Sequence, residues 1–230
     1  MQKLIYLADD EPNIRNLLKS FLEKEGYQAH AFENGDRLFD AFQNKPCDLV
    51  ILDIMMPGTN GLEICSKLRE ISNIPIIMLT AKDTEEDYIS GLSLGSDDYF
   101  TKPFSPVKLM MRIKSMFRRF DAQAQAPGAE LTFEDITLIP GDMTAFCRGE
   151  VLNLTKTEYS FLVYMLERQG KVISRKELFN AIWGFDHVIE SRATDDTVKR
   201  LRRKLEGSRV SIDTVWGVGF KISAKPGDVQ

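Results

Sequence analysis

Five polar positions follow apolar runs in the first half of the chain: Asp9 and Asp10 after Leu4 to Ala8, Asp53 after Leu49 to Leu52, Thr80 after Ile76 to Leu79, and Lys102 after Tyr99 to Thr101. If these runs are strands of one parallel sheet, the five side chains meet at its carboxyl edge, where open α/β sheets bind ligands. Three carboxylates gathered there repel one another unless a hard divalent cation sits among them, and Mg²⁺, with its oxygen preference, is the natural occupant. A hydroxyl and an ammonium beside that ion complete a site for a phosphoryl group. Taken singly, an acid after a strand is more often a helix cap or a solvated loop residue. The conjunction carries the chemistry. Asp53 leads into the turn Ile54-Met55-Met56-Pro57-Gly58, and Lys102 precedes Pro103 in an X-Pro bond of the kind that can be cis.

A second chemistry lies near the end of the chain, on a helix expected over about Arg192 to Glu206. Val198, Leu201 and Leu205 fall at i, i+3 and i+7 and face a core, which leaves Arg192, Lys199, Arg200, Arg202 and Arg203 largely exposed. From 192 to 205 there are six basic residues against two acidic, a local charge of +4 in a chain whose net charge is −4. A charge run on a helix is usually a solvated face. Here it is the last helix of a three-helix unit followed by a hairpin, the setting in which Arg reads guanine edges in a major groove and the hairpin touches the adjacent backbone or minor groove.

The elements that must position these residues follow from periodicity. Ile14, Leu17, Leu18, Phe21 and Leu22 form one helical stripe closed by Gly26; Leu38, Phe39 and Phe42 form a second, and Leu62, Cys65 and Leu68 a third. Alternation with the apolar runs predicts an α/β domain: a doubly wound, five-stranded parallel sheet over residues 1–120, whose crossovers need about a dozen residues or more. Residues 121–129, small and polar with a Pro-Gly break, are expected to be a linker. Beyond it, over 130–226, an α+β domain is expected. Its strands are Leu131 to Ile139, Thr144 to Arg148 and Val151 to Leu154, followed by two helices opened by the capping pairs Thr155/Glu158 and Ser174/Glu177. The basic helix comes next. A hairpin of Val210 to Trp216 and Phe220 to Ile222 closes the domain.

Bulk properties set limits. At 230 residues, 43% hydrophobic and 28% charged, the chain is long enough for two globular domains. No apolar run approaches the ~20 residues of a membrane span. No leader is expected, because Met1-Gln2-Lys3 leads directly into an apolar run. Cys47, Cys65 and Cys147 are scattered, which suits a reducing cytoplasm better than a disulfide frame or a zinc site.

The first half resembles a response-regulator receiver domain, on the acidic pair Asp9-Asp10, on Asp53, Thr80 and Tyr99, and on Lys102-Pro103. The resemblance implies the flavodoxin-like fold, phosphorylation of Asp53 by a partner histidine kinase, and Mg²⁺ held by Asp10, Asp53 and the Met55 backbone carbonyl, with Asp9 helping through water. Lys102 would contact the phosphoryl oxygens, while Thr80 and Tyr99 act as switch residues. Residues 130 to 225 resemble the winged-helix output domain of the OmpR/PhoB family, on Leu154-Thr155-Lys156-Thr157-Glu158-Tyr159, Ser174-Arg175-Lys176-Glu177-Leu178, Ile182-Trp183-Gly184 and Thr214-Val215-Trp216-Gly217-Val218-Gly219-Phe220. That likeness implies phosphate contacts by Trp183, Arg192, Arg202 and Thr214, and places Asp196, Thr197, Lys199 and Arg200 in the groove, beside the exposed Arg203. Trp216 stands where many members carry an Arg that enters the minor groove.

Together these imply a phosphorylation-controlled, DNA-binding transcription regulator that recognises paired repeats and pairs with itself when phosphorylated or DNA-bound, with RNA polymerase as a further partner and no membrane. Asp53 would be the nucleophile only of its own modification, so no enzyme with turnover is implied. An aspartyl-phosphate hydrolase would need D-x-D, and position 55 is Met. A receiver serving as a silent scaffold, with DNA binding independent of phosphate, is the other alternative. Family members pair through the fourth helix, fifth strand and fifth helix of the receiver by ion pairs. Here Tyr88, Ser93 and Lys108 replace the expected partners, leaving Asp98 with Arg112 and Asp97 with Arg119 as cross-subunit pairs, with Met110, Met111 and Leu92 as apolar contacts.

Overall fold

A computed structural model describes residues 2–81, 95–125, 130–184 and 193–225. Tyr88, Leu92, Ser93, Arg192 and the linker positions 126–129 lie outside the described residues. The chain divides into two compact units, Met1–Ile113 and Lys114–Gln230.

The first unit is built on a five-stranded sheet ordered β2-β1-β3-β4-β5, all parallel, from β1 (Leu4–Ala8), β2 (Gln28–Phe32), β3 (Leu49–Asp53), β4 (Ile76–Ala81) and β5 (Asp98–Lys102). Every residue of β1 and of β3 is buried, as expected of parallel strands covered on both faces. Helices α1 (Pro12–Lys24), α2 (Gly35–Asn44) and α3 (Gly61–Ile71) connect them. Along β1, β3 and β4 one set of alternate side chains, Leu4, Tyr6, Val50, Leu52, Ile76 and Met78, packs with Leu38 and Phe42 of α2 and Ile64 and Leu68 of α3 into one core. Pro at the first position starts α1, and Asn34 and Asn60 cap α2 and α3 by accepting from the Arg37 and Glu63 N–H groups. Leu17, counted in the core stripe of α1, instead lies 45% exposed.

The next helix, α4 (Pro106–Gln125), runs five residues into the expected linker. Its tail Asp121-Ala-Gln-Ala-Gln lacks bulky side chains but consists largely of good helix formers, and Gln123 anchors it by accepting from the Ser160 hydroxyl and the Gly141 N–H. Beyond this helix the second unit carries a four-stranded antiparallel sheet, β6-β7-β8-β9. The single strand expected over 131–139 is a hairpin, β6 (Leu131–Phe133) and β7 (Ile136–Ile139). The turn forms because Glu134 takes a φ of 55° and Asp135 is drawn off to accept from the Ser208 hydroxyl and the Arg209 N–H. β8 (Thr144–Cys147) and β9 (Glu150–Val151) complete the sheet. Helices α5 (Lys156–Leu166), α6 (Arg175–Trp183) and α7 (Ala193–Lys204) follow, and β10 (Ile173–Ser174), β11 (Val210–Val215) and β12 (Gly219–Ala224) form a second sheet ordered β10-β12-β11. Phe161, Leu162, Ile182, Val198, Leu201 and Phe220 are shared in one core. No helix among the described residues is long and apolar enough to cross a membrane.

Candidate phosphoryl-acceptor site and nucleic-acid interface

Parallel register brings the first set of residues together. Asp53 pairs with Leu79, and Thr80 pairs with Thr101, so Asp53, Thr80 and Lys102 sit at neighbouring carboxyl ends of β3, β4 and β5. Lys102 Nζ lies 2.7 Å from Asp53 Oδ2, 2.9 Å from Asp9 Oδ2 and 3.4 Å from Glu11 Oε1. The Lys102–Pro103 peptide is cis. Carboxylate oxygens of Asp9, Asp10 and Asp53 lie within 4.8 Å of one another. Asp9, Asp53 and Thr80 are buried and Asp10 is exposed, so the cluster opens to solvent on the Asp10 side. Tyr99 is half-buried and packs at the margin of the β1–β3–β4 core.

Burial pushes the Asp53 and Asp9 carboxyls above the usual carboxylate range, and the Lys102 ammonium draws both part of the way back. On Lys102 burial acts to lower the pKa, but the contacts with Asp53 and Asp9 outweigh it and hold the ammonium above its ordinary value. One lysine therefore faces three acids. The donor set, all hard oxygen and short of positive charge, fits a divalent cation such as Mg²⁺.

Three residues outside the sequence motifs build this geometry. Arg15 of α1 donates to the backbone carbonyls of Asp9 and Asp10 at 2.7 and 2.8 Å, fixing the acidic loop from below. The Glu11 N–H donates to Asp9 Oδ1 at 2.9 Å. Gly61, which opens α3, donates to the Ile54 carbonyl, and a Cβ there would lie 2.0 Å from the Asp53 carbonyl oxygen. The signal for Gly61 was a glycine directly after the Asn60 cap, where any residue would serve the helix and only glycine admits the β3 backbone.

Both acids expected to pair across subunits have arginine partners within the chain. Asp98 meets Arg112 at 2.5 Å with both side chains buried, and Asp97 meets Arg69 at 2.7 Å while also accepting from the Ile76 N–H. Arg69 further donates to the Gly95 and Ile74 carbonyls, so this network ties α3 to the start of β4 and β5. Arg119 is half-buried, with its guanidinium over the Phe120 ring. Met110 is buried, whereas Met111 and Val107, at i and i−4 on α4, are exposed.

The basic helix α7 keeps its expected apolar stripe of Val198, Leu201 and Leu205, but three residues expected at a nucleic-acid surface lie inside. Arg200 is 4% exposed. Its Nε donates to Glu158 Oε1 at 2.9 Å and its guanidinium to Thr197 Oγ1 at 3.2 Å; Lys204 reaches Glu158 Oε2 at 2.6 Å. Thr197, Arg200 and Lys204 stand at i, i+3 and i+7, a polar row flanking the apolar stripe and directed at one carboxylate. Thr197 is buried in that row. Trp183 is buried too, stacked on Phe179 with ring centroids 5.4 Å apart. Glu158 explains the row. It closes the capping box of α5 by accepting from the Thr155 N–H, it is fully buried, and although burial acts to raise its pKa, Arg200 and Lys204 hold it below the ordinary value. A buried capping-box glutamate demands cations, and two arms of α7 supply them.

Lys199, Arg202 and Arg203 remain exposed on α7, and Asp196 is half-buried. Arg202 donates from Nε to the Ile212 carbonyl at 2.7 Å and from Nη2 to the Thr214 hydroxyl at 2.8 Å, which docks the helix on the β11–β12 hairpin.

A parallel sheet with an acid-and-lysine cluster at its carboxyl edge, followed by three helices and a hairpin, defines a receiver joined to a winged-helix output domain. Residues 5–114 match the family model described as response regulator receiver domain, and residues 149–222 match the one described as transcriptional regulatory protein, C terminal. The transcriptional regulatory protein YclJ of Bacillus subtilis, itself uncharacterized, is 40% identical over 221 residues, covering 94% of this chain and 97% of that one. The structure of the response regulator DrrB, an OmpR/PhoB homologue from Thermotoga maritima, is 30% identical with a TM-score of 0.52 and covers 97% of this chain and 100% of that one. A cysteine-to-aspartate mutant of RitR, 24% identical with a TM-score of 0.76 over 96% of this chain and 99% of that one, shares the fold. This chain belongs to the OmpR/PhoB-type response regulators, phosphorylation-controlled DNA-binding transcription regulators of two-component systems. A sensor kinase and DNA are the partners that its two domains imply.

Proposed function

We propose that Asp53 is the acceptor of the phosphoryl group, delivered by a partner histidine kinase, and that the receiver spans 1–120 and the output domain 130–226. The observation that carries this is Lys102 Nζ at 2.7 Å from Asp53 inside a cluster of three carboxylates. Asp10, Asp53 and the Met55 carbonyl would hold Mg²⁺, with Asp9 assisting through water. The ion would supply the charge that lets a buried carboxylate meet a phosphoryl group. An Asp53 carboxylate oxygen attacks phosphorus as the P–N bond to the kinase histidine breaks, leaving an acyl phosphate. Lys102 then passes from the Asp53 oxygen to the new phosphoryl oxygens, where Thr80 donates its hydroxyl, and Tyr99 follows inward.

On the output side Lys199, Arg202 and Arg203, with Thr214 and Asp196, meet duplex DNA, while Arg200, Thr197 and Trp183 shape the helix from within. Phosphorylation favours pairing, the pairs bind paired repeats in the cytoplasm, and RNA polymerase is the further partner. The protein has no turnover activity of its own. Incubating it with Mg²⁺ and a small-molecule phosphodonor tests this reading: one phosphoryl group should appear on the wild type, none on Asp53→Ala, and chelation should abolish the reaction. Modification of Asp53→Ala at the wild-type rate would overturn it.

A further inference from the structure

Trp216 stands in the turn between β11 and β12 with 91% of its surface exposed, and Val218 beside it is 50% exposed. An indole buries about 150–250 Å² when covered, a large apolar area to leave in water. Single exposed apolar residues are nonetheless common, so exposure alone decides nothing. The mounting of this one does.

β12 is held between β10 and β11, and Gly219 packs so tightly on β10 that a Cβ would lie 1.9 Å from the Ile173 carbonyl oxygen. Arg202 of α7 grips the same hairpin at Ile212 and Thr214, and the guanidinium carbons of Arg175 and Arg202 lie 4.6 and 6.0 Å from the Phe220 ring centroid. Trp216 is two residues past Thr214, roughly 7 Å of extended chain. It therefore projects a short step beyond arginine-bearing structure, from a hairpin locked to the helix that carries Lys199, Arg202 and Arg203. An indole offers no charge to a phosphate and a single N–H donor. Its flat apolar face suits sugars and bases.

We propose that Trp216 is an aromatic wedge for duplex DNA, entering the minor groove beside the segment read by α7 and packing its face on the sugars and edge of a partly unstacked base step. The proposal rests on the DNA-binding reading of α7 and specifies what the hairpin takes. Insertion requires unstacking, which is cheapest at pyrimidine–purine steps such as TA and CA. The hairpin then selects a deformable step, not the stiff, narrow A-tract whose potential attracts a cation.

The test uses the full chain and duplexes selected by the wild type from a random pool, titrated with salt. Trp216→Ala should bind about tenfold or more weakly with an unchanged salt slope, Trp216→Phe should recover most of the loss, and Trp216→Arg should steepen the slope by about one unit. Replacing the flanking pyrimidine–purine step by an A-tract should weaken the wild type and leave Trp216→Ala unaffected. In the complex, Trp216 should be shielded from iodide quenching, with buried Trp183 as the internal check on folding. Equal affinity of wild type and Trp216→Ala, or undiminished iodide quenching in the complex, would overturn the wedge and assign the indole to a protein partner. Failure of the wild type to select any duplex would instead overturn the DNA reading itself.

Discussion

Lys102 lies within reach of three acids, and Gly61 decides where the central one sits. Its missing side chain lets the first turn of α3 lie against the Asp53 carbonyl, so a methyl group, which would come within 2.0 Å, must push either α3 or the end of β3 away. Gly61→Ala should cost about 1–3 kcal/mol by overpacking and slow phosphorylation of Asp53, because the displaced atoms belong to the acceptor itself. Denaturant unfolding and phosphodonor kinetics on the same variant check this; a variant with wild-type stability and rate would show the contact to be soft. Glu158 is the counterpart in the output domain. Its pKa is depressed, so its stabilisation is fully present above the unfolded value near 4.5 and disappears as pH falls through the lower folded value. Acid unfolding of this domain should therefore steepen below about pH 4.5 in the wild type and lose that component in Glu158→Gln. Both tryptophans, Trp183 and Trp216, lie in this unit, so their fluorescence reports it alone. Glu158→Gln should also lower stability at neutral pH, by about 3 kcal/mol, since the buried Arg200 and the half-buried Lys204 lose their partner.

At the scale of elements, α7 separates two kinds of arginine that its sequence alone does not distinguish. Arg200→Ala removes one of two cations from a fully buried carboxylate and should cost about 3 kcal/mol of stability, weakening all DNA alike through loss of folded protein. Arg202→Ala keeps the core and should reduce the salt dependence of binding by about one unit. Fluorescence-monitored unfolding beside salt-titrated binding distinguishes them; an Arg200→Ala protein that is fully stable yet has relaxed base preference would restore Arg200 to the groove. Strands β1, β3, β4 and β5, the first three helices and the capping pair of α5 were legible because each is announced by an apolar run or a cap. What was not legible depends on long-range partners. The capping box identifies Glu158 as a local hydrogen-bond acceptor but says nothing of the burial that makes it claim Arg200, 42 residues on. The β6–β7 turn is fixed by Ser208 and Arg209 reaching Asp135, and the helical end of the presumed linker by the Ser160 hydroxyl and Gly141 N–H reaching Gln123.

For the whole molecule, the question is what holds two copies together when Asp97 and Asp98 already meet Arg69 and Arg112 inside each chain. An exposed ion pair across subunits contributes about 0–1 kcal/mol and mainly sets register, so such pairs alone would not give a tight dimer. The exposed apolar pair Val107 and Met111 on α4 is what remains among the described residues of this face. Two such side chains bury enough surface for weak association only. The expected behaviour is a monomer when unphosphorylated and a micromolar-range dimer when phosphorylated. Tight occupancy comes only on DNA, where two output domains on repeats about 10–11 base pairs apart convert the second contact into an intramolecular one. Sedimentation of phosphorylated full-length protein should show concentration-dependent pairing that Met111→Lys abolishes and Asp53→Asn never reaches. Arg112→Ala separates the two accounts of the acidic residues: it should lower receiver stability through unpaired Asp98, in monomer and dimer alike, whereas a cross-subunit pair would leave the monomer untouched. A nanomolar dimer indifferent to Met111→Lys would place the contact on another face.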